Sequence, residues 1–552
     1  MPPRRNIALV IAGGASLGSY EAGVMTELLY ALNYINRTRK ADEPEFVIDV
    51  MTGGSAGALT AALVARIMLH GYGERSRLYE AWVERINIVE LMQRAPDNAV
   101  LSKDVIRKLA HDLVVEGIDA KGTPTSFAPR TLRLGVSLSN MNGIDYRLPV
   151  LASAMSTGKP FITTLYSDTA HFRLPNRATQ APEPWERLIE AAIASSSFPI
   201  AFQPEDLLRF PKDYPDSTLS ERPSPFFPSQ GGRKMTFLDG GIFNNEPLEE
   251  AIRLAREADG GIPEPDRLFL LVDPAINVSE FEPDIKTTAP LENHINRLIE
   301  MIFNQGQAIQ WLRDAYRKNT EIAWRDKLLE GITYLVRTSD IDQDQDFVNE
   351  LKQFSRRVIW EKSRLADEAD LQPELEKILS GVETRFSESF ESLADAPRAA
   401  QKQEMFRHLV FILNTVANLQ NKSALQFSVI GSTPERTAGD QISGFGGFFD
   451  QEWRQHDYRQ GRIEAHDRLT EILGVRYPKE QVNGRTSQDY RIEEDFSNVS
   501  LKDADRGLRE KIRDTILLRL AKVIGNTLKV PASGWLVTRI FLRRRVNELL
   551  EL

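Results

Sequence analysis

The stretch "FVIDVMTGGSAGALTAALVARI" (46–67) sets one serine among glycines, between an apolar run and an alanine-rich helical pattern. Gly53, Ser55 and Gly57 form the pattern G-x-S-x-G. In a strand–turn–helix setting this pattern is a nucleophile elbow. The glycines let the backbone turn sharply, and the hydroxyl emerges where a helix N-terminus favours developing negative charge. A strand over Phe46–Met51 and a helix from Ala58 are the elements that would position it. The same residues also fit a serine that merely caps the helix after a glycine turn.

A nucleophilic serine needs a base and an anion hole. His70 lies on the helix expected to follow Ser55, and at ~1.5 Å per residue it falls ~22 Å away, too far to act. His111 and His171 are not excluded by distance, but neither sits at a strand end with turn glycines. His294, His408, His456 and His466 fall in the later helical region and read as surface or structural residues. Asp239 fits better, in "MTFLDGGIFNNEPL": an apolar strand delivers it to the carboxyl edge of a sheet, and Gly240 and Gly241 allow close backbone approach. A carboxylate of ordinary pKa, ~3.9, is a weak base, so the site must desolvate it. By itself "DGG" also reads as a plain strand-ending turn. For the anion hole, "NIALVIAGGASLGSYEAGV" (6–24) offers the backbone N–H groups of Gly13, Gly14 and Ala15. The rival, a nucleotide phosphate loop, lacks both G-x-x-x-x-G-K-[ST] and G-x-G-x-x-G.

The elements around these residues indicate an α/β domain. Short apolar runs, "NIALVIA", "FVIDVMT", "LRLGVSLS", "MTFLD" and "RLFLLVDP", alternate with helical patterns such as 20–37 and 56–70, as in a mainly parallel sheet with helical crossovers. We expect a catalytic domain over 1–280, with a Pro-rich loop or lid at 204–236 carrying Pro204, Pro211, Pro215, Pro223, Pro225 and Pro228. A helical region follows at 281–424. Residues 425–510 hold a strand, "LQFSVIGSTP", that can rejoin the sheet, and a Gly/aromatic cluster, "SGFGGFFDQEWRQHDYRQGR". Residues 511–552 form basic amphipathic helices.

Composition bounds the rest. The 552 residues, 41% of them hydrophobic, can bury a large core in more than one unit. With 69 basic against 78 acidic residues the net charge is −9, which gives no global field favouring nucleic acid. The absence of cysteine removes disulfides, thiolate metal sites and cysteine nucleophiles together, and suits a reducing compartment. The N-terminal apolar run is too short for a secretory signal, and no run reaches the ~18 apolar residues of a membrane span. The expected location is therefore the cytoplasm.

Taken together and in order, "GGASLG" (13–18), "GGSAG" (53–57), "ASSSFPIAFQP" (194–204) and "DGG" (239–241) resemble the patatin-like phospholipase family over about residues 5–275. The resemblance implies a three-layer α/β fold with a mainly parallel central sheet, here followed by a large, mostly α-helical C-terminal region. It implies a serine lipid acyl hydrolase with a Ser–Asp dyad: Ser55 as nucleophile, Asp239 as base, and the loop of Gly13, Gly14 and Ala15 as oxyanion hole. Gly18, Gly53, Gly57, Gly240, Gly241, Ser196 and Pro199 would support the site. No metal or cofactor is implied. The family loop usually reads G-G-G-x-R/K-G, whereas this chain has Ala15 for the third glycine and Leu17 for the basic residue.

The expected partner is a phospholipid or other acyl lipid. The tail's basic residues, interleaved with Leu, Ile, Val, Trp535 and Phe541, fit a helix lying on an anionic membrane, and equally one that packs its apolar face on the body. Acyl transfer or thioester hydrolysis by the same dyad, and lipid binding without catalysis, remain open alternatives.

Overall fold

The structure, a computed structural model, describes residues 3–96, 98–148, 161–199, 201–214, 231–260, 264, 266–275, 307–363, 371–416, 425–441, 444–483, 485–492, 496, 499–528, 543–550 and 552. Its contacts divide it into two units: residues 1–258, 266–311 and 426–552 in one, 259–265 and 312–425 in the other.

Strand β1 (Arg4–Ile11) is buried from Ile7 onward on both faces, which its unbroken run of Ile, Ala, Leu and Val permits. It pairs in parallel with β2 (Glu45–Gly53) on one side and with the equally apolar Leu268–Asp273 on the other. The further strands are β3 (Thr131–Leu148), β4 (Phe161–Pro175), β5 (Glu205–Arg209), β6 (Arg233–Leu238), β7 (Leu268–Asp273) and β8 (Gln426–Gly431). The sheet order is β5-β6-β3-β2-β1-β7-β8, with β4 paired to β3. Five neighbours, β3, β2, β1, β7 and β8, run in parallel. The fold is thus α/β with a mainly parallel central sheet. Helices α1 (Gly18–Thr38), α2 (Ala56–His70), α3 (Pro182–Ser195) and α4 (Leu248–Ala258) connect and cover it. Helix α2 is buried along almost its whole length, as its Ala, Leu, Val and Ile content allows.

Three features depart from the sequence reading. Strand β6, which carries "MTFL" toward Asp239, runs antiparallel to β3, so Asp239 reaches the sheet's carboxyl edge from the opposite direction. It arrives there because β3 continues past the edge and offers Ser139 as the partner of Leu238. The β3–β4 hairpin is long and its second strand went unrecognised, because "FITTLYSDTAHFRLP" alternates polar with apolar residues and has no buried run. The loop or lid expected over 204–236 is corrected: Glu205–Arg209 is a strand paired with Arg233–Leu238. An edge strand can begin just after a proline, since the missing N–H falls outside the ladder. Within the expected lid, residues 215–230 lie outside the described residues.

The second unit is helical: α5 (Gln307–Thr338), which enters it from Leu312 onward, α6 (Gln345–Ser363), α7 (Leu371–Arg385) and α8 (Ala399–Val416). Leu329, Ile359, Leu379, Met405, Phe406 and Phe411 are among its fully buried side chains. His408 donates or accepts within this core, with Nδ1 2.9 Å from Ser355 Oγ. Residues 281–306, read as helical, are outside the described residues.

Helix α9 (Gln451–Leu473) returns to the first unit and crosses α1 with almost no separation. A β-carbon on Gly23 would stand 2.0 Å from the Tyr458 carbonyl oxygen, and one on Gly461 2.2 Å from that of Tyr20. Only glycine lets two helix backbones touch this way. Arg462 of α9 is buried in the crossing and donates to Glu27 Oε2 at 3.0 Å and Glu480 Oε2 at 2.8 Å. Helix α10 (Arg506–Leu528) buries Ile512 and half-buries Leu508, Ile516 and Leu520 against the same core; α11 (Arg543–Leu549) buries Val546. The described part of the basic tail therefore turns apolar residues onto the body. Residues 529–542, with Trp535 and Phe541, lie outside the described residues. No helix among the described residues is long and apolar enough to cross a membrane.

Candidate active site

Ser55 sits at the end of β2 and caps α2 with φ 47° and ψ −122°. This backbone region is sparsely populated for any residue with a side chain and costs about 1–3 kcal/mol, so the surrounding structure must impose it. The neighbours do. Ser55 N–H donates to Ser195 Oγ at 2.8 Å, and Ser196 Oγ donates to the Ser55 carbonyl at 3.1 Å. Gly57 brings α2 against β1: a β-carbon there would lie 2.4 Å from the carbonyl oxygens of Ile11 and Ala12.

The Ser55 hydroxyl donates to Asp239 Oδ2 at 2.7 Å, across 184 residues of chain. Asp239 is 2% exposed, and its Oδ1 accepts from the Gly241 N–H at 2.7 Å. Burial pushes this carboxyl up to about 7; the bonds from Ser55 and Gly241 and the nearby charge of Lys103 pull the other way without cancelling it. The desolvation that an aspartate base requires is thus present, and its pKa falls in the range where a general base works near neutral pH.

The segment containing Ser196 holds both groups at once. Asp239 N–H donates to the Ser197 carbonyl and Gly240 N–H to that of Ser195, each at 3.0 Å. Lys103, itself buried, donates to Ser197 Oγ at 2.8 Å and pairs with Glu205 at 2.8 Å. Pro199 follows in the turn after this segment.

The glycine turn differs from expectation at its first residue. Gly13 N–H is engaged by the Asn245 carbonyl at 3.2 Å, and Asn245 Nδ2 donates back to Gly13 O at 3.1 Å. Gly13 therefore ties the turn to the Asp239 loop, and its N–H is not free to meet an anion. The N–H groups of Gly14 and Ala15 have no partner among the described residues. Ala15 adopts φ 49°, a left-handed conformation that a glycine would take without cost. Ser16 holds it there by donating both its N–H, at 2.9 Å, and its hydroxyl to the Gly444 carbonyl. Leu17, at the usual basic position, is 2% exposed, and its Cδ2 would lie 3.0 Å from a β-carbon on Gly439. A charged side chain at 17 would be buried beside Gly439, which accounts for the apolar replacement.

A cavity opens at Ser55, walled by Leu59, Trp82, Ile106, Phe198, Phe445 and Phe448 and floored by Ala15 and Asp239. Among the described residues no histidine lines it. His70 Nδ1 instead lies 2.9 Å from Glu74, and His171 Nε2 lies 2.6 Å from Glu250. Among the described residues no cluster of three or more His, Cys, Asp or Glu is arranged to hold a metal ion. Sequence reasoning missed Ser195, Asn245, Lys103, Trp82, Phe445 and Phe448. Ser195, Asn245, Phe445 and Phe448 lie in segments that the sequence marks, the run "SSS", the "DGG" segment and the Gly/aromatic cluster, whereas Lys103 and Trp82 carry no local signal.

The model of the family described as patatin-like phospholipase matches residues 9–252, and one described as a protein of unknown function (DUF3376) matches residues 421–519. An uncharacterized protein of Sinorhizobium fredii, y4iI, is 25% identical over 45% of this chain. That alignment spans 45% of the relative's own length. Among solved structures, VipD from Legionella pneumophila covers 75% of this chain and 92% of its own at 12% identity, with a TM-score of 0.20.

Proposed function

We propose, from the match of residues 9–252 to the patatin-like phospholipase family, that this protein is a serine lipid acyl hydrolase of the phospholipase A or lysophospholipase type. The observation that carries the reading is the 2.7 Å hydrogen bond from Ser55 Oγ to the buried, desolvated Asp239.

In this reading Ser55 Oγ attacks the carbonyl carbon of an acyl ester while its proton passes to Asp239 Oδ2. The tetrahedral oxyanion is met by the N–H groups of Gly14 and Ala15. Asp239 then returns the proton to the departing alcohol or lysophospholipid, leaving an acyl-serine. Water, deprotonated by the same carboxylate, releases the fatty acid and restores Ser55. The substrate is a lipid ester, as the family implies. Burial pushes the Asp239 carboxyl up to about 7, which strengthens it as a base relative to an ordinary aspartate.

The test is a lipid-class hydrolysis panel on wild type and Ser55→Ala. Fatty acid release by wild type and none by Ser55→Ala is expected; equal release by both would overturn the assignment of Ser55.

A further inference from the structure

We infer that Phe445 and Phe448, which lie outside the patatin-like match, form the far wall of the acyl-binding cavity and favour short over long acyl chains. The inference rests on the acyl hydrolase reading of Ser55 and deepens it.

The cavity that contains Ser55 and Asp239 is bounded by residues from both halves of the chain. Phe445 stands edge-on to Phe198, with ring centroids 5.3 Å apart, and to Phe448 at 6.1 Å. Phe198 belongs to the turn that pins Ser55 and Asp239, so the aromatic wall begins two residues from Ser196 and lines the same cavity as Ser55. Phe448 is 5% exposed and joins the main core, as does Trp82 opposite it.

The wall is fixed in place. Arg454 of α9 is 2% exposed and spends its guanidinium on four carbonyls: Val83 at 3.1 Å, Gly447 at 3.0 Å, Phe448 at 3.1 Å and Asp450 at 2.9 Å. It thereby joins the aromatic segment to the backbone beside Trp82. Asp457, one turn on, accepts from the N–H groups of Ala438 at 2.7 Å and Gly439 at 2.9 Å. The Gly444 carbonyl, in turn, takes both donors of Ser16. Helix α9 itself cannot shift, because its backbone touches α1 at Gly23 and Gly461. Such a wall is a built surface and not a loose flap.

The space it leaves is small. The cavity volume is about 50 Å³. A cavity of about 150 Å³ takes up benzene, so the enclosed space here is filled by the part of an acyl chain next to its carbonyl, and the remainder of a long chain meets the Phe445 and Phe448 rings. A longer chain requires the Phe445 or Phe448 ring to move, which costs packing against Phe198 and Trp82.

Alkyl fluorophosphonates report this directly, since Ser55 Oγ bonds to phosphorus as fluoride leaves and the serine proton is lost to Asp239. The full-length protein is treated with an ethyl and a dodecyl fluorophosphonate, and labelling rates are read by intact-protein mass spectrometry. We expect the wild type to label at least about tenfold faster with the short probe, and Phe448→Ala to reduce that ratio to about threefold or less by admitting the long one. Phe445→Ala, at a half-buried position, serves the same purpose should Phe448→Ala fail to fold, and Phe448→Leu should fall between. Equal wild-type rates with the two probes, or an unchanged ratio in the variants, overturn the inference while Ser55 labelling keeps the hydrolase reading. Labelling by neither probe overturns both.

Discussion

Replacing Asp239 by Asn separates the catalytic role proposed for this carboxylate from its effect on stability, and the two expected effects have opposite signs. The native state holds Asp239 with a pKa about 7 because it is desolvated, against 3.8 ordinarily. Between those values the folded protein binds a proton that the unfolded chain has released. Stability from this group is therefore full below the ordinary pKa and is lost as pH rises through 7. From about pH 5 to about pH 8 the loss accumulates over about two pH units, or about 3 kcal/mol at 1.36 kcal/mol per unit. Asn is neutral throughout, nearly matches the protonated acid in shape, and keeps an acceptor for the Gly241 N–H. The variant should thus change stability little near pH 5 and exceed the wild type by about 3 kcal/mol near pH 8. Urea unfolding at the two pH values measures this. In the same samples ester hydrolysis should fall by about 10²–10⁴-fold, the usual contribution of a positioned general base. A stability difference that does not change between the two pH values would refute the desolvation argument. Retained hydrolysis would refute the role of Asp239 as base.

Two further substitutions probe the groups around the site. Lys103→Met removes the buried cation that draws the Asp239 pKa down, so the rising limb of kcat/KM against pH should move to higher pH; a limb that stays in place would show that Lys103 acts on Ser197 alone. Arg462→Ala leaves Glu27, fully buried beneath the α1–α9 crossing, without its cation. It should lower the unfolding free energy of the first unit by about 3–5 kcal/mol in denaturant titration, and a loss within about 1 kcal/mol would mean that His466 and Tyr490 suffice for Glu27.

Much of the fold was legible because its signals are local. The buried strands β1, β2 and β7 are runs of Ile, Leu and Val that need no partner to be recognised, and α1 and α2 follow directly from glycine turns. Strand β4 escaped because an alternating strand looks half-polar. Strand β5 escaped because prolines on both sides marked it as loop. Ser55 and Asp239 could be singled out for the same local reason: each ends an apolar run at a cluster of glycines, and the structure brings the two to 2.7 Å.

What the sequence determined by itself is where a strand ends, where a helix starts and which polar residue stands at that junction, because sterics and burial act over a few neighbouring residues. Tertiary structure alone decided the rest. It turned Gly13 away toward Asn245, left the N–H groups of Gly14 and Ala15 without a partner among the described residues, and buried Leu17 beside Gly439. It also set Phe445 and Phe448 opposite Trp82, more than three hundred residues away in sequence. Those placements depend on two helix backbones touching at Gly23 and Gly461 and on one arginine, Arg454, collecting four carbonyls. Contacts of that kind leave no periodic pattern in either segment, since each residue's role is defined only by the partner that packing brings to it.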